Sequence, residues 1–156
     1  MKNAISNQSR KNLAMTMSTS LLSFALLFPL NALAESGQLV VEISGVQDDA
    51  GTIRASLYNE PDSFRKEEHA FMRIAQPAKA GRATLVFRDV PPGRYAIMAY
   101  HDGNDDGKLN LRFGMFPTEG YALSNNPKVV GPPRFSDSAF DFTGGTSASL
   151  PLTLSY

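Results

Sequence analysis

Apolar residues recur at every second position along much of this chain, and that period limits the fold more than any other feature. Gln38 to Val46, QLVVEISGV, sets Leu39, Val41 and Ile43 against Val40, Glu42 and Ser44. Thr52 to Asn59, TIRASLYN, sets Ile53, Ala55 and Leu57 against Thr52, Arg54 and Ser56. Alternate side chains on opposite faces define a strand with one face in a core. The QDDAG between them reads as a turn in which Gly51 takes positive φ, so the two runs are expected to pair as a hairpin. AFMRIAQPA and RATLVFRDV, on either side of Lys79-Ala80-Gly81, are expected to form a second hairpin. Pro61, followed by Asp62 and Ser63, suits the start of a short helical turn between them.

Pro91-Pro92-Gly93 then turns the chain into a further strand, with Tyr95 placed to pack at a corner between sheets. The last run, TSASLPLTLSY, puts Ala148, Leu150, Leu152, Leu154 and Tyr156 on one face. Pro151 cannot donate to a ladder, so this strand is expected at a sheet edge or with a bulge. Short strands, frequent turn signals and the lack of a long amphipathic pattern give an all-β fold: a β-sandwich of about 6–8 antiparallel strands. Residues 109–139 break the period for longer than the ~15 residues usual for an irregular loop. Phe113, Phe116, Tyr121 and Phe135 lie within them, a density of aromatics that favours a packed excursion over disorder.

The first 34 residues read as a cleaved signal. Lys2, Arg10 and Lys11 precede the apolar run LLSFALLFPLNALA, which ends in the A-x-A pattern Ala32-Leu33-Ala34. Pro29 and Asn31 interrupt that run, so it falls short of the ~20 apolar residues of a spanning helix. The mature chain, residues 35–156, is expected to be one exported domain without a membrane span, periplasmic or extracellular. Three of the 15 basic residues and none of the 15 acidic ones precede Glu35, so the formal charge from there on is −3. No basic run or stripe is present, which argues against nucleic acid as a partner. The absence of cysteine excludes both a disulfide framework and a lipid-bearing N-terminal Cys.

One polar stretch stands out, HDGNDDGKLN, His101 to Asn110. Counted from Asp102, side-chain oxygens fall at positions 1, 3 and 5 (Asp102, Asn104, Asp106), with Gly107 at position 6. Lys108 offers its carbonyl at position 7, and Asn110 a side-chain oxygen at position 9. This is the first half of a calcium loop, whose alternate residues turn toward one hard cation needing 6–8 oxygens. Phe113 stands at position 12, where an EF-hand has a bidentate Glu, and no helix flanks the loop. A strand-borne Ca²⁺ site therefore needs further ligands, for which Glu119 and Asp137 are candidates. The alternative is a polar loop that hydrogen-bonds to itself.

No catalytic residue is assigned. His101 and Asp102 are neighbours on a strand and face opposite ways, so adjacency does not make them a dyad. His69 reads as solvated surface, and neither Ser124 nor Ser136 sits in a nucleophile motif. Two histidines and no cysteine give little basis for zinc or iron.

YHDGNDDGKLN, FGMFPTEGYALSNN and GPPRFSDSAF, in that order, resemble an uncharacterised family of small exported bacterial proteins, domain of unknown function 2141. The resemblance runs from about Gln38 to Tyr156. It falls on Asp102, Asn104, Asp106, Gly107 and Lys108, on Glu119, Tyr121, Ser124, Asn125 and Asn126, and on Pro132, Pro133 and Phe135. It implies a prealbumin- or immunoglobulin-like β-sandwich with no established activity. Asn110 stands where the family commonly has Asp, which lowers the charge of a cation site by one. FGMFPTE also carries an extra residue between its Gly and Pro.

The resulting expectation is a Ca²⁺-stabilised, non-enzymatic module with a binding or structural role in the cell envelope. Tyr121, Ser124, Asn125, Asn126 and Phe135 are its candidate binding surface, for an envelope protein, a peptide or a glycan. The rival is a periplasmic metal-assisted hydrolase using His101, Asp102 and Glu119. A third possibility, a carrier of small apolar ligands, requires a cavity that sequence does not reveal.

Overall fold

The computed structural model describes residues 35–128 and 130–156; the expected signal segment lies outside them. In chain order the strands are β1 (Gly37–Val46), β2 (Thr52–Tyr58), β3 (Met72–Pro77), β4 (Gly81–Val90) and β5 (Gly93–Asp102). They continue with β6 (Leu111–Arg112), β7 (Phe116–Pro117), β8 (Tyr121–Leu123), β9 (Phe140–Phe142) and β10 (Ser147–Thr153). One helical turn, α1 (Phe135–Ser138), precedes β9, and two 3-10 turns, Pro61–Ser63 and Glu67–His69, lie between β2 and β3. The fold is all-β. One sheet has the order β10-β1-β4, and the other β3-β2-β5-β8 with β9 also on β5.

The alternating period marks the faces correctly, but the neighbours differ from those expected. β1 pairs with β4 and β10, whereas β2 pairs with β3 and β5, so neither expected hairpin forms. The β1–β2 and β3–β4 connections cross from one sheet to the other. Period two fixes which side of a strand is buried and is silent on which strand lies beside it. Local bonds show what holds the β1–β2 crossing instead. Ala78 N–H donates to Gly51 O (3.0 Å) and Ala80 N–H to Asp49 Oδ1 (2.6 Å), tying the two crossings to each other. Gly51 has φ +68°, and a Cβ there would collide with the Asp102 carbonyl, so glycine is required where this turn meets the end of β5.

β10 runs parallel to β1, against the expectation of an antiparallel fold throughout. It is an edge strand, with Pro151 opposite Glu42, as the missing donor demands. Tyr95 is buried, and its hydroxyl donates to Pro91 O at 2.9 Å, holding the corner where the chain crosses from β4 to β5.

Both sheets contribute to one core. Leu39, Val41 and Ile43 of β1 and Leu85 and Phe87 of β4 join Ile53, Leu57 and Ile97 from the other sheet. Each such side chain stabilises the fold by roughly 1.5–3 kcal/mol on burial. The five-stranded sheet is covered on its other face as well, by a second cluster of Tyr58, Phe64, Ala96, Leu123 and Phe135. Phe64 bridges it, edge-on to Tyr58 (5.3 Å between centroids) and to Phe135 (5.9 Å). The 109–139 excursion is packed only in part: β8 joins the sheet and α1 docks Phe135 on its outer face, whereas β6–β7 form a small separate hairpin that leaves Phe113 and Phe116 exposed.

Candidate functional site

The polar loop is organised around Asp102, the last residue of β5, which is completely buried. Its carboxylate accepts three hydrogen bonds. Asp106 N–H reaches Oδ1 at 3.1 Å, while Gly107 N–H (2.9 Å) and Arg54 Nε–H (2.6 Å) reach Oδ2. The first two close the turn, and the third ties the loop to β2. The ion pair raises the Arg54 pKa above its ordinary value, the Asp102 hydrogen bond outweighing the opposing effect of burial. A buried carboxylate requires this degree of satisfaction, because an unpaired one would be strongly penalised.

Asn104, Asp106 and Asn110 converge beyond it. Asn104 Nδ2–H donates to Asp106 Oδ2 (3.3 Å) and to Asn110 Oδ1 (3.1 Å), and Asn110 Nδ2–H donates to Asp106 Oδ2 (2.9 Å). Lys108 enters through its backbone N–H, which donates to Asp106 Oδ1 at 2.9 Å. These bonds, that from Asn110 foremost, hold the Asp106 pKa below the ordinary carboxylate value. Glu119 fastens the loop from outside, accepting from Gly103 N–H (3.2 Å) and Asn110 N–H (2.9 Å). Asp137 is not part of this arrangement; it sits on α1, where its carboxylate accepts from Ser136 Oγ–H. Among the described residues, no three His, Cys, Asp or Glu side chains are grouped as a metal cluster. Two amide side chains, Asn104 and Asn110, share the loop with the carboxylates of Asp102, Asp106 and Glu119.

His101 faces the opposite way. Its side chain is buried, with Nε2 2.7 Å from Ala50 O and Nδ1 2.8 Å from the Tyr156 hydroxyl. A carbonyl can only accept, so Nε2 carries a proton; with Nδ1 unprotonated, the hydroxyl donates to it. The Tyr156 oxygen in turn accepts from Gln47 N–H at 3.2 Å. His101 thus braces the β1–β2 crossing and the C-terminal residue. Its side chain is turned away from the loop that Asp102 and Glu119 hold.

The expected surface of aromatics and amides does not hold together either. Ser124 is completely buried, its Oγ accepting from Ile97 N–H (2.8 Å) and bonding to Ser138 O. Phe135 is buried in the second cluster. Asn125 Nδ2–H donates to Ala139 O (2.9 Å). Asn126 donates to Pro151 O (3.1 Å) and accepts from Thr153 N–H (3.0 Å). Both asparagines have positive φ, so they act as turn residues whose amides satisfy backbone groups. Tyr121 alone of the five faces the space described next.

That space is a groove of about 790 Å³ on the outer face of the five-stranded sheet, within the ~300–1,000 Å³ typical of small-ligand pockets. Two rows of cross-strand neighbours form its floor: Arg73, Ser56 and Met98, then Arg54, Tyr100 and Tyr121. Loop residues Gly107 to Leu109, the β6–β7 hairpin and Gly131–Pro133 wall it. Leu111, Met115 and Phe116 present apolar surface to it while remaining 45%, 69% and 61% exposed. Tyr100 Oη–H donates to Glu67 Oε2 (2.9 Å), fixing one side, and burial pushes the Tyr100 pKa up. The Asp102–Arg54 pair therefore links the polar loop directly to the groove floor. The signal for the groove was present in AIMAYHD, which carries apolar or aromatic residues on both faces of β5 and so must be covered twice.

These features define an all-β domain with a ligand-sized groove beside the 109–139 excursion. The chain belongs to a family described as uncharacterized protein conserved in bacteria, DUF2141, whose model matches residues 41–149. No curated protein and no solved structure matches it.

Proposed function

We propose that this chain is an exported, non-enzymatic binding module of the cell envelope, built as a prealbumin-like β-sandwich, and that the outer-face groove is its binding site. The observation that carries this reading is the exposure of Leu111, Met115 and Phe116 toward the groove. Apolar surface gathered around a concavity with a few convergent polar groups is the usual form of a ligand site. The two-sheet core supports the sandwich, and the A-x-A segment supports export. The test is binding of the neutral solvatochromic dye Nile red to the purified protein. Blue-shifted, saturable emission, weakened in Phe116→Asp, is expected; its absence, or indifference to Phe116→Asp, would refute the groove as a site.

For the loop, we propose a low-affinity Ca²⁺ site formed by Asn104, Asp106 and Asn110 with Asp102 Oδ1. The convergence of these side chains supports it. Arg54 on Asp102 and the amide at Asn110 reduce its negative charge, which places the affinity near the ~10⁻⁴–10⁻³ M of extracellular modules. Calorimetric titration of Ca²⁺, with Asp106→Ala beside it, tests this: one ion per chain, lost in the variant, is expected. No heat at millimolar Ca²⁺ would make the loop a self-bonded turn.

A further inference from the structure

Resting on the reading of the groove as a binding site, we infer that its ligand is a small amphipathic carboxylate, an apolar chain-like body with one anionic head. The charges in the groove point to the head. Arg54 is committed to Asp102, and Glu67 to the Tyr100 hydroxyl. Arg65 and Arg73 also line the groove, yet among the described residues neither has an ion-pair or hydrogen-bond partner from a side chain. Set against Glu67 and Glu68, the cations Arg65, Arg73 and Lys108 leave a net positive balance once Arg54 is neutralised by Asp102. A guanidinium offers paired N–H donors in the geometry a carboxylate accepts.

The rest of the lining selects the body. Met98 and Tyr121 on the floor face Leu111, Met115 and Phe116 on the hairpin, a flexible and apolar combination suited to an alkyl chain. A peptide gains less here, because β2 and β5 under most of the floor are paired on both edges, and the free ladder of the edge strand β3 meets the groove through Arg73 alone. A sugar gains less too, since the amides of Asn125 and Asn126 are spent on backbone groups outside the groove.

The experiment is displacement of bound Nile red by three probes of equal chain length below their micellar concentrations: dodecanoate, dodecanol and dodecyltrimethylammonium. Dodecanoate is expected to displace the dye at least about tenfold more effectively than either of the others, the advantage of a charge-assisted hydrogen bond. In the double variant R65A/R73A the dodecanoate-to-dodecanol ratio is expected to fall to about one, and in R65K/R73K to recover in part. Equal displacement by all three probes, or a carboxylate preference that survives R65A/R73A, would overturn this inference and leave the groove standing. Failure of Nile red to bind at all would overturn both.

Discussion

Replacing Asp102 with alanine removes a fully buried carboxylate and takes the acceptor from Arg54 Nε–H and Gly107 N–H, while Asp106 N–H keeps its 3.2 Å bond to Asn104 Oδ1. Breaking a buried ion pair from one side costs about 3–5 kcal/mol, and each buried donor left unpaired about 1–3. These do not simply add, because the Arg54 side chain is 28% exposed and recovers part of its hydration. A loss of about 3–5 kcal/mol is expected, or roughly 10–20 °C in Tm for a domain near 120 residues. Asp102→Asn keeps the shape and one acceptor oxygen, so about half that loss is expected. The protein has no tryptophan, so urea unfolding is best followed by circular dichroism and tyrosine fluorescence. Arg54→Ala and the double variant complete a cycle, in which the two single losses should exceed the double by about 1–3 kcal/mol. Additive losses, or a loss below about 1 kcal/mol for Asp102→Ala, would refute Asp102 as the residue joining loop to groove floor.

Three other outcomes are expected. Gly51→Ala, which adds a Cβ against the Asp102 carbonyl at φ +68°, should cost at least about 2 kcal/mol in the same unfolding assay, more than positive φ alone. Because the Asp106 pKa is depressed, its contribution is present above the ordinary carboxylate pKa of 3.8 and is lost as pH falls through the lower folded value. Asn110→Ala should raise that pKa toward 3.8, as read by carboxyl NMR titration. Burial pushes Tyr58 up to about 12 from 10.0, so its contribution is complete below pH 10 and lost between there and about 12. Tyr58→Phe should reduce the fall in that window, leaving the part that comes from Tyr100, Tyr95 and Tyr156, whose pKa values are also raised.

How far the sequence reached follows from what each pattern encodes. Alternation identified the inward faces of β1, β2 and β10, and the missing N–H of Pro151 pointed to an edge or a bulge, of which the structure shows the edge. Pairing partners were not legible, because Thr52 neighbours the turn after β1 in sequence while its strand lies between β3 and β5. The polar loop was found by spacing; Glu119, expected there as a cation ligand, meets it by accepting from the backbone N–H groups of Gly103 and Asn110. Arg54 was missed, since it lies 48 residues from Asp102 and nothing local marks a long-range ion pair. Asn125 and Asn126 look like a recognition surface in sequence because side-chain amides are versatile; positive φ turns them instead toward nearby backbone.

Methionine methyl NMR tests the groove most directly, because the three methionines among the described residues divide across it. Met98 lies on the floor and Met115 on the hairpin wall, whereas Met72 packs against the main core. On adding Nile red, the Met98 and Met115 methyls are expected to shift together and Met72 to stay in place. A shift confined to Met72, or saturable dye binding that moves neither Met98 nor Met115, would put the binding site elsewhere on the protein.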